Sequence, residues 1–180
     1  GNIAGTLAKG GMALAKRDLF GAMKLLVDSE MKMFHDLNTP VIFLQNVVTD
    51  LLLGLGMTEF FVEFSDYIEE KYNAEAGFIT MNLPLLVDEL DRIGLANPIV
   101  CSSINKIGFR MSGSIDCYEK TLREKRFRGV AMQVLAAGGV RPHDAIEYVA
   151  KLEGVQSIVF GASTPEHIKE TKELIEQYSK

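Results

Sequence analysis

The chain has 180 residues, 47% of them hydrophobic and 24% charged, with a formal net charge of −5. These values exclude a disordered chain and leave room for one domain with a sizeable core. An acidic balance also argues against a nucleic-acid surface, because phosphate binding needs a concentrated excess of Lys and Arg.

The chain opens at Gly1 in a glycine-rich stretch that predicts a loop over residues 1–17, with no GxxxxGK phosphate-binding pattern. Residues 18–37 follow as a predicted amphipathic helix carrying Phe20, Met23, Val27, Met31 and Phe34 on one face. From residue 40 to the C-terminus a short apolar run alternates with a helical segment, giving five strand–helix units. The predicted strands are Val41 to Val48, Gly77 to Met81, Pro98 to Ile104, Gly129 to Ala136 and Ser157 to Phe160. Each is apolar on both faces, as buried parallel strands are. Between them, Thr58 opens one helical segment, Asn82 can cap the next, Ser114 precedes a third with Ile115, Tyr118 and Leu122, and Thr164-Pro165 marks the start of the last helix. The region from Val41 to Val62 is the most apolar, but Gln45, Asn46, Thr49, Asp50 and Glu59 interrupt it too early for a membrane span.

Alternation of this kind predicts an α/β fold with a parallel sheet and right-handed crossovers. Residues 1–180 are read as one partial TIM-barrel domain, the C-terminal five strand–helix units of a (β/α)8 barrel. The alternative is an open doubly wound parallel sheet, whose GxGxxG fingerprint is absent: Gly54-Leu-Gly56 has neither the third glycine nor a preceding strand. Five strands of eight leave a barrel unclosed, so the expectation is that missing N-terminal strands of the same protein, or another copy of the chain, cover the open edges.

In parallel (β/α) proteins ligands sit at the carboxyl ends of the strands. Those ends offer Gln45, Asn82, Ser103, Asn105 and Gln133 as substrate-binding residues. Lys106 is the lysine placed to act as an amine nucleophile, and Arg110 the cation placed to clamp a carboxylate or phosphate. Gly138 and Gly139 after one strand, and Gly161, Ala162, Ser163 and Thr164 after the next, predict an anion site built from backbone N–H groups and a helix N-terminus. Cys101 reads as a small core residue, and Cys117 lies in a polar helix. His35, His143 and His167 lack ligand spacing, so no metal site is expected. The basic run from Lys120 to Arg128 reads as a solvated helix end. Two unpaired cysteines and no leader or membrane segment point to the cytoplasm.

The segments Asp144-Ala-Ile-Glu-Tyr-Val149, Gly154-Val-Gln-Ser-Ile-Val-Phe-Gly-Ala-Ser163 and Pro165-Glu-His-Ile-Lys-Glu-Thr171 resemble the last two helices and intervening strand of the aldo-keto reductases. Gly77-Phe-Ile-Thr-Met-Asn82 stands at that family's fifth strand and Val100 to Asn105 at its sixth, so the likeness covers a little over half the chain. The resemblance implies the barrel scaffold and, as cofactor, NADP; the residues themselves name no cofactor. The family's catalytic Tyr, Lys and Asp lie on early strands that have no counterpart here. Its fourth-strand His falls near Gln45 or Asn46, neither of which can shuttle a proton. The glycine turns also resemble the phosphate grips of aldolase-type and synthase-type barrels. The expectation is an enzyme, or part of one, that binds a small anionic or carbonyl metabolite, including phosphorylated ones. An aldolase or lyase and a non-catalytic degenerate barrel are the alternatives.

Overall fold

The computed structural model describes residues 18–178, so the loop expected over residues 1–17 lies outside the described residues. Helix α1 spans residues 18–31, and a single 3-10 turn, Lys32–Phe34, ends the helical stretch predicted to run to residue 37. Then follow β1 (Val41–Leu44), α2 (Asn46–Gly54), α3 (Glu59–Tyr72), β2 (Glu75–Thr80), α4 (Leu83–Arg92) and β3 (Ile99–Ser103). The chain continues through α5 (Ile115–Glu124), β4 (Arg128–Met132), α6 (Pro142–Ala150), β5 (Val155–Ile158) and α7 (Pro165–Tyr178). All neighbouring strands pair in parallel, and their order in the sheet, β1-β2-β3-β4-β5, is the order of the chain. The α/β class and the alternation are therefore as the sequence predicts.

The pleat divides the strand side chains between two environments. Leu44, Phe78, Val100 and Ala131 face a large core made with Phe60, Phe61, Phe64 and Ile68 of α3, Leu83, Leu86 and Leu90 of α4, and Ile146 and Val149 of α6. On the other face Ile99, Cys101 and Val130 pack with Val41, Phe43, Ile79 and Met132, a cluster drawn from strands alone. Burial pushes the Cys101 thiol up to about 11, which suits a core residue and not a nucleophile. All of β3 is buried, as expected of a central parallel strand.

All five predicted strands are corrected at their ends: the second runs from Glu75 to Thr80, the third loses one residue at each end, and the other three differ as follows. The first stops at Leu44, because Gln45 stays extended while its carbonyl accepts the Val48 and Thr49 N–H groups and starts α2. Val47, Leu51 and Leu55 then form the exposed stripe of that helix instead of continuing the strand. The fourth stops at Met132, because Gln133 turns into the left-handed region at φ 54 and accepts the Ala136 N–H. The fifth begins two residues early, at Val155, and its last ladder contact is Val159 N–H to the Ala131 carbonyl at 2.8 Å.

Helix α1 is fastened to α3 by both packing and charge. Phe20 meets Phe60 edge to face, with ring centroids 5.9 Å apart. The Asp28 carboxylate accepts hydrogen bonds from Lys71 Nζ at 2.5 Å, from the Tyr67 hydroxyl and from the Tyr72 hydroxyl at 2.6 Å. These donors, Lys71 first, hold its pKa at about 2. A depressed carboxyl contributes stability above its unfolded value and loses it as pH falls through the folded one. Wild-type stability should therefore decline from about pH 4 toward pH 2, and Asp28→Asn should lower neutral-pH stability and flatten that limb, as read by urea melts at stepped pH.

At the opposite end of the strands the chain passes close to itself. Gly154 has φ +87, and a Cβ there would stand 2.3 Å from the Leu122 carbonyl oxygen. Gly94 shares the left-handed backbone, at φ +83, but has open space around it. Gly154→Ala should cost about 2–4 kcal/mol of unfolding free energy, backbone strain and overpacking together. Gly94→Ala should cost only the strain, about 1 kcal/mol. Denaturant titration of the two variants side by side checks the difference.

Candidate functional site

The carboxyl end of β2 is tied to α2, to α5 and to the loop before α5 by a polar network around Met81. Its N–H donates to Asp50 Oδ2 at 3.0 Å. Its carbonyl accepts from the Tyr118 hydroxyl at 2.6 Å and from the Ser112 N–H at 2.8 Å. The other Asp50 oxygen accepts the hydroxyl of Thr80, which is fully buried, at 2.5 Å. Tyr118, itself fully buried, also accepts the Leu83 N–H at 3.2 Å, and burial raises its hydroxyl above the usual tyrosine range. Every polar group of this turn thus has a partner, as burial requires.

The clamped peptide sets the Met81 side chain between two features. On one side Ser103 Oγ lies 3.1 Å from the Met81 sulfur and 2.6 Å from Gln133 Oε1. On the other, Met81 is among the residues that line a shallow, open depression of about 420 Å³, with Asn46, Gly108, Arg110, Met111 and Ser112. Arg110 is exposed, has φ 53, and its guanidinium lies 5.5 Å from the centroid of the Phe109 ring. Among the described residues six non-glycine positions have positive φ; two are Asn, which tolerates it, and the other four, Arg110, Gln133, Ala136 and Ala137, all lie in the loops after β3 and β4. Strained backbone of this kind collects at binding and catalytic loops.

Of the substrate-binding residues expected from the sequence, Ser103 and Gln133 are brought together directly. Asn105 is fully buried and its amide is engaged both ways with Phe109, Oδ1 accepting the N–H and Nδ2 donating to the carbonyl, each at 2.8 Å. It shapes the loop that carries Arg110. Asn82 caps α4 by accepting the Leu85 N–H at 3.5 Å. Gln45 is exposed at the end of β1, and the next residue, Asn46, is the one that lines the depression. Lys106 is exposed on the loop, whereas an amine nucleophile is desolvated in an apolar pocket or set beside another cation.

The expected anion site is corrected in its donors. The Gly138 N–H donates to Leu135 O at 2.9 Å and the Gly139 N–H to Ala136 O at 3.0 Å, so both serve their own turn. At the start of α7, the His167 N–H donates to Thr164 Oγ1 at 3.2 Å. The Glu166 carboxylate is held below its ordinary range by its own N–H and the Thr164 hydroxyl. Glu166 is the acidic residue of the first turn of α7, where a negative charge suits the positive end of the helix dipole. Gly161, Ala162 and Ser163 are exposed beside it.

Asp50 and Tyr118 are the residues that sequence reasoning undervalued. Asp50 is visible in the sequence at the end of the first apolar run, but its partners lie 30 and 31 positions away. Tyr118 reads only as the apolar face of a helix. Asp50→Ala should strand the buried Thr80 hydroxyl and the Met81 N–H and destabilise the chain by about 2–4 kcal/mol. Thermal or urea unfolding checks this, with Asp66→Ala, at an exposed position on α3, expected within about 0.5 kcal/mol of wild type. Comparison with family models, with curated proteins and with solved structures finds no match to this chain.

Proposed function

We propose that this chain is the C-terminal part of a (β/α)8 barrel, on a scaffold resembling the second half of the aldo-keto reductases, and that it binds a small anionic or carbonyl metabolite at the carboxyl ends of its strands. The barrel is supported by strand order: a doubly wound sheet reverses its order at a switch point, and β1 to β5 run without reversal. The strand-only apolar cluster on the second face also suits a barrel interior, which is filled by side chains from the strands. Further strands, from the same protein or from another copy, would then pair with the edges β1 and β5.

The observation that carries the binding site is the depression beside Met81, where a cationic side chain, Arg110, stands on a strained and internally braced loop. A guanidinium offers paired donors to a carboxylate or phosphate, and the other lining residues, Asn46, Met81, Gly108, Met111 and Ser112, are uncharged. The depression holds no carboxylate among its lining residues, so nothing in its wall competes with an incoming anion. Reductase chemistry would need a proton donor that Gln45 and Asn46 do not provide. Binding is therefore the better-supported activity.

Titration calorimetry with pyruvate, inorganic phosphate and glycerol 3-phosphate should detect binding of at least one of them at low ionic strength. Arg110→Ala should weaken that affinity about tenfold, equivalent to roughly 1.4 kcal/mol. Lys106→Ala should leave it near wild type. If none of the three binds to the wild-type chain, this function falls.

A further inference from the structure

We infer that Gln133 is the specificity residue of this face, held in a strained backbone so that its side-chain Nε2 donates to a carbonyl or carboxylate oxygen of the ligand. The inference rests on the proposed binding face and adds to it the atom that would read the ligand's oxygen.

The first ground is conformational. Gln133 follows the last residue of β4 and adopts φ 54, the left-handed region that side chains other than Gly, Asn and Asp rarely enter. No need for a long polar side chain arises from the turn itself. Its carbonyl accepts the Ala136 N–H at 2.9 Å, a bond that glycine would make equally well. What glycine could not supply at this strained position is the side-chain amide, whose Oε1 accepts the buried Ser103 hydroxyl and leaves Nε2 as a further donor.

The second ground is the direction of that amide. Ser103 has one hydroxyl proton and two neighbours, the Met81 sulfur at 3.1 Å and a Gln133 amide atom at 2.6 Å. A separation of 2.6 Å falls in the O–H···O range and is short for N–H···O, so the amide atom is the oxygen and the serine proton belongs to it. Ser103 is fully buried and is itself fixed on the central strand, so it acts as a positioning residue. With Oε1 engaged, the two Nε2 protons point away from Ser103. Gln133 is only half-buried, and among the described residues its Nε2 has no acceptor. A preorganised donor of this kind favours an oxygen acceptor and rejects an ammonium or a second donor.

The third ground is placement. The Met81 sulfur lies 3.1 Å from the hydroxyl of Ser103, which bonds Gln133, and Met81 is also among the residues lining the Arg110 depression, so one residue links the amide to that depression. A ligand with an anionic end at Arg110 and a carbonyl or second carboxylate oxygen toward Gln133 would lay its carbon skeleton on Met81, a polarisable apolar surface. Keto acids and short dicarboxylates have this form.

The test uses the full chain with pyruvate and, as a ligand lacking the keto oxygen, propionate. Side-chain amide resonances are followed in a protein labelled at glutamine nitrogen, and the Gln133 signal is identified by its loss in Gln133→Met. Pyruvate should shift that signal, and wild type should prefer pyruvate to propionate by fivefold or more. Gln133→Met and Gln133→Gly should both remove the preference. Circular dichroism and urea unfolding should show both Gln133 variants folded under the assay conditions, which separates loss of preference from loss of fold. Ser103→Ala should reduce the preference while leaving the dependence on Arg110 intact. The inference is overturned if both Gln133 variants keep the pyruvate preference while Arg110→Ala still weakens binding. If wild type binds neither probe, or binds them without regard to Arg110, the binding face itself is wrong and the inference goes with it.

Discussion

A parallel strand can be buried on both faces only if its two sets of alternating side chains each find an apolar partner layer, and β3 is where this constraint is strictest. Val100 points to the helices and Ile99 and Cys101 to the strand-only cluster, so a shift of one residue would exchange the two layers. The same alternation continues past the apolar part of the strand. Ser102 turns to the helix side and donates to the Thr80 carbonyl at 2.8 Å, while Ser103 falls on the other face beside Met81 and Gln133. The register that buries the core therefore also sets which hydroxyl serves the fold and which meets the proposed ligand-binding face.

Polar satisfaction then carries the order outward from the strands. The Met81 peptide is held by a carboxylate from α2, a phenol from α5 and a loop N–H, three groups from three separate segments. Two of them come from helices that also bury apolar side chains in the core, Leu52 of α2 and Leu122 of α5, so each helix contributes core packing and a strand-end hydrogen bond at once. This coupling makes the end of β2 rigid, and a rigid first layer lets the neighbouring loops keep unfavourable backbone angles at Arg110 and Gln133. Near the last two strands the opposite holds. There the Gly138 and Gly139 N–H groups are used within their own turn, so that turn contributes structure.

The sequence by itself determined the class, the alternation and most of the helix starts. Apolar runs free of period-two alternation, separated by amphipathic segments, leave little besides a buried parallel sheet, and Asn82, Ser114 and Thr164 cap where local chemistry places them. It also singled out Ser103, Gln133 and Arg110, since strand-end positions are legible once the strands are. Tertiary structure decided the rest. Val47 and Val48 have strand-like side chains, yet they join α2 because the pairing of β1 with β2 ends at Leu44 and Phe78 and Gln45 then caps a helix. Gly138 and Gly139 look like an anion grip, but whether a backbone N–H is free depends on which carbonyl the turn brings to it, and that is fixed by φ and ψ values invisible in a residue's name. Asp50 and Tyr118 were hidden for the same physical reason: their partners are more than 29 positions away, and only the packing of α2 and α5 on the sheet brings these groups to the one peptide between β2 and α4.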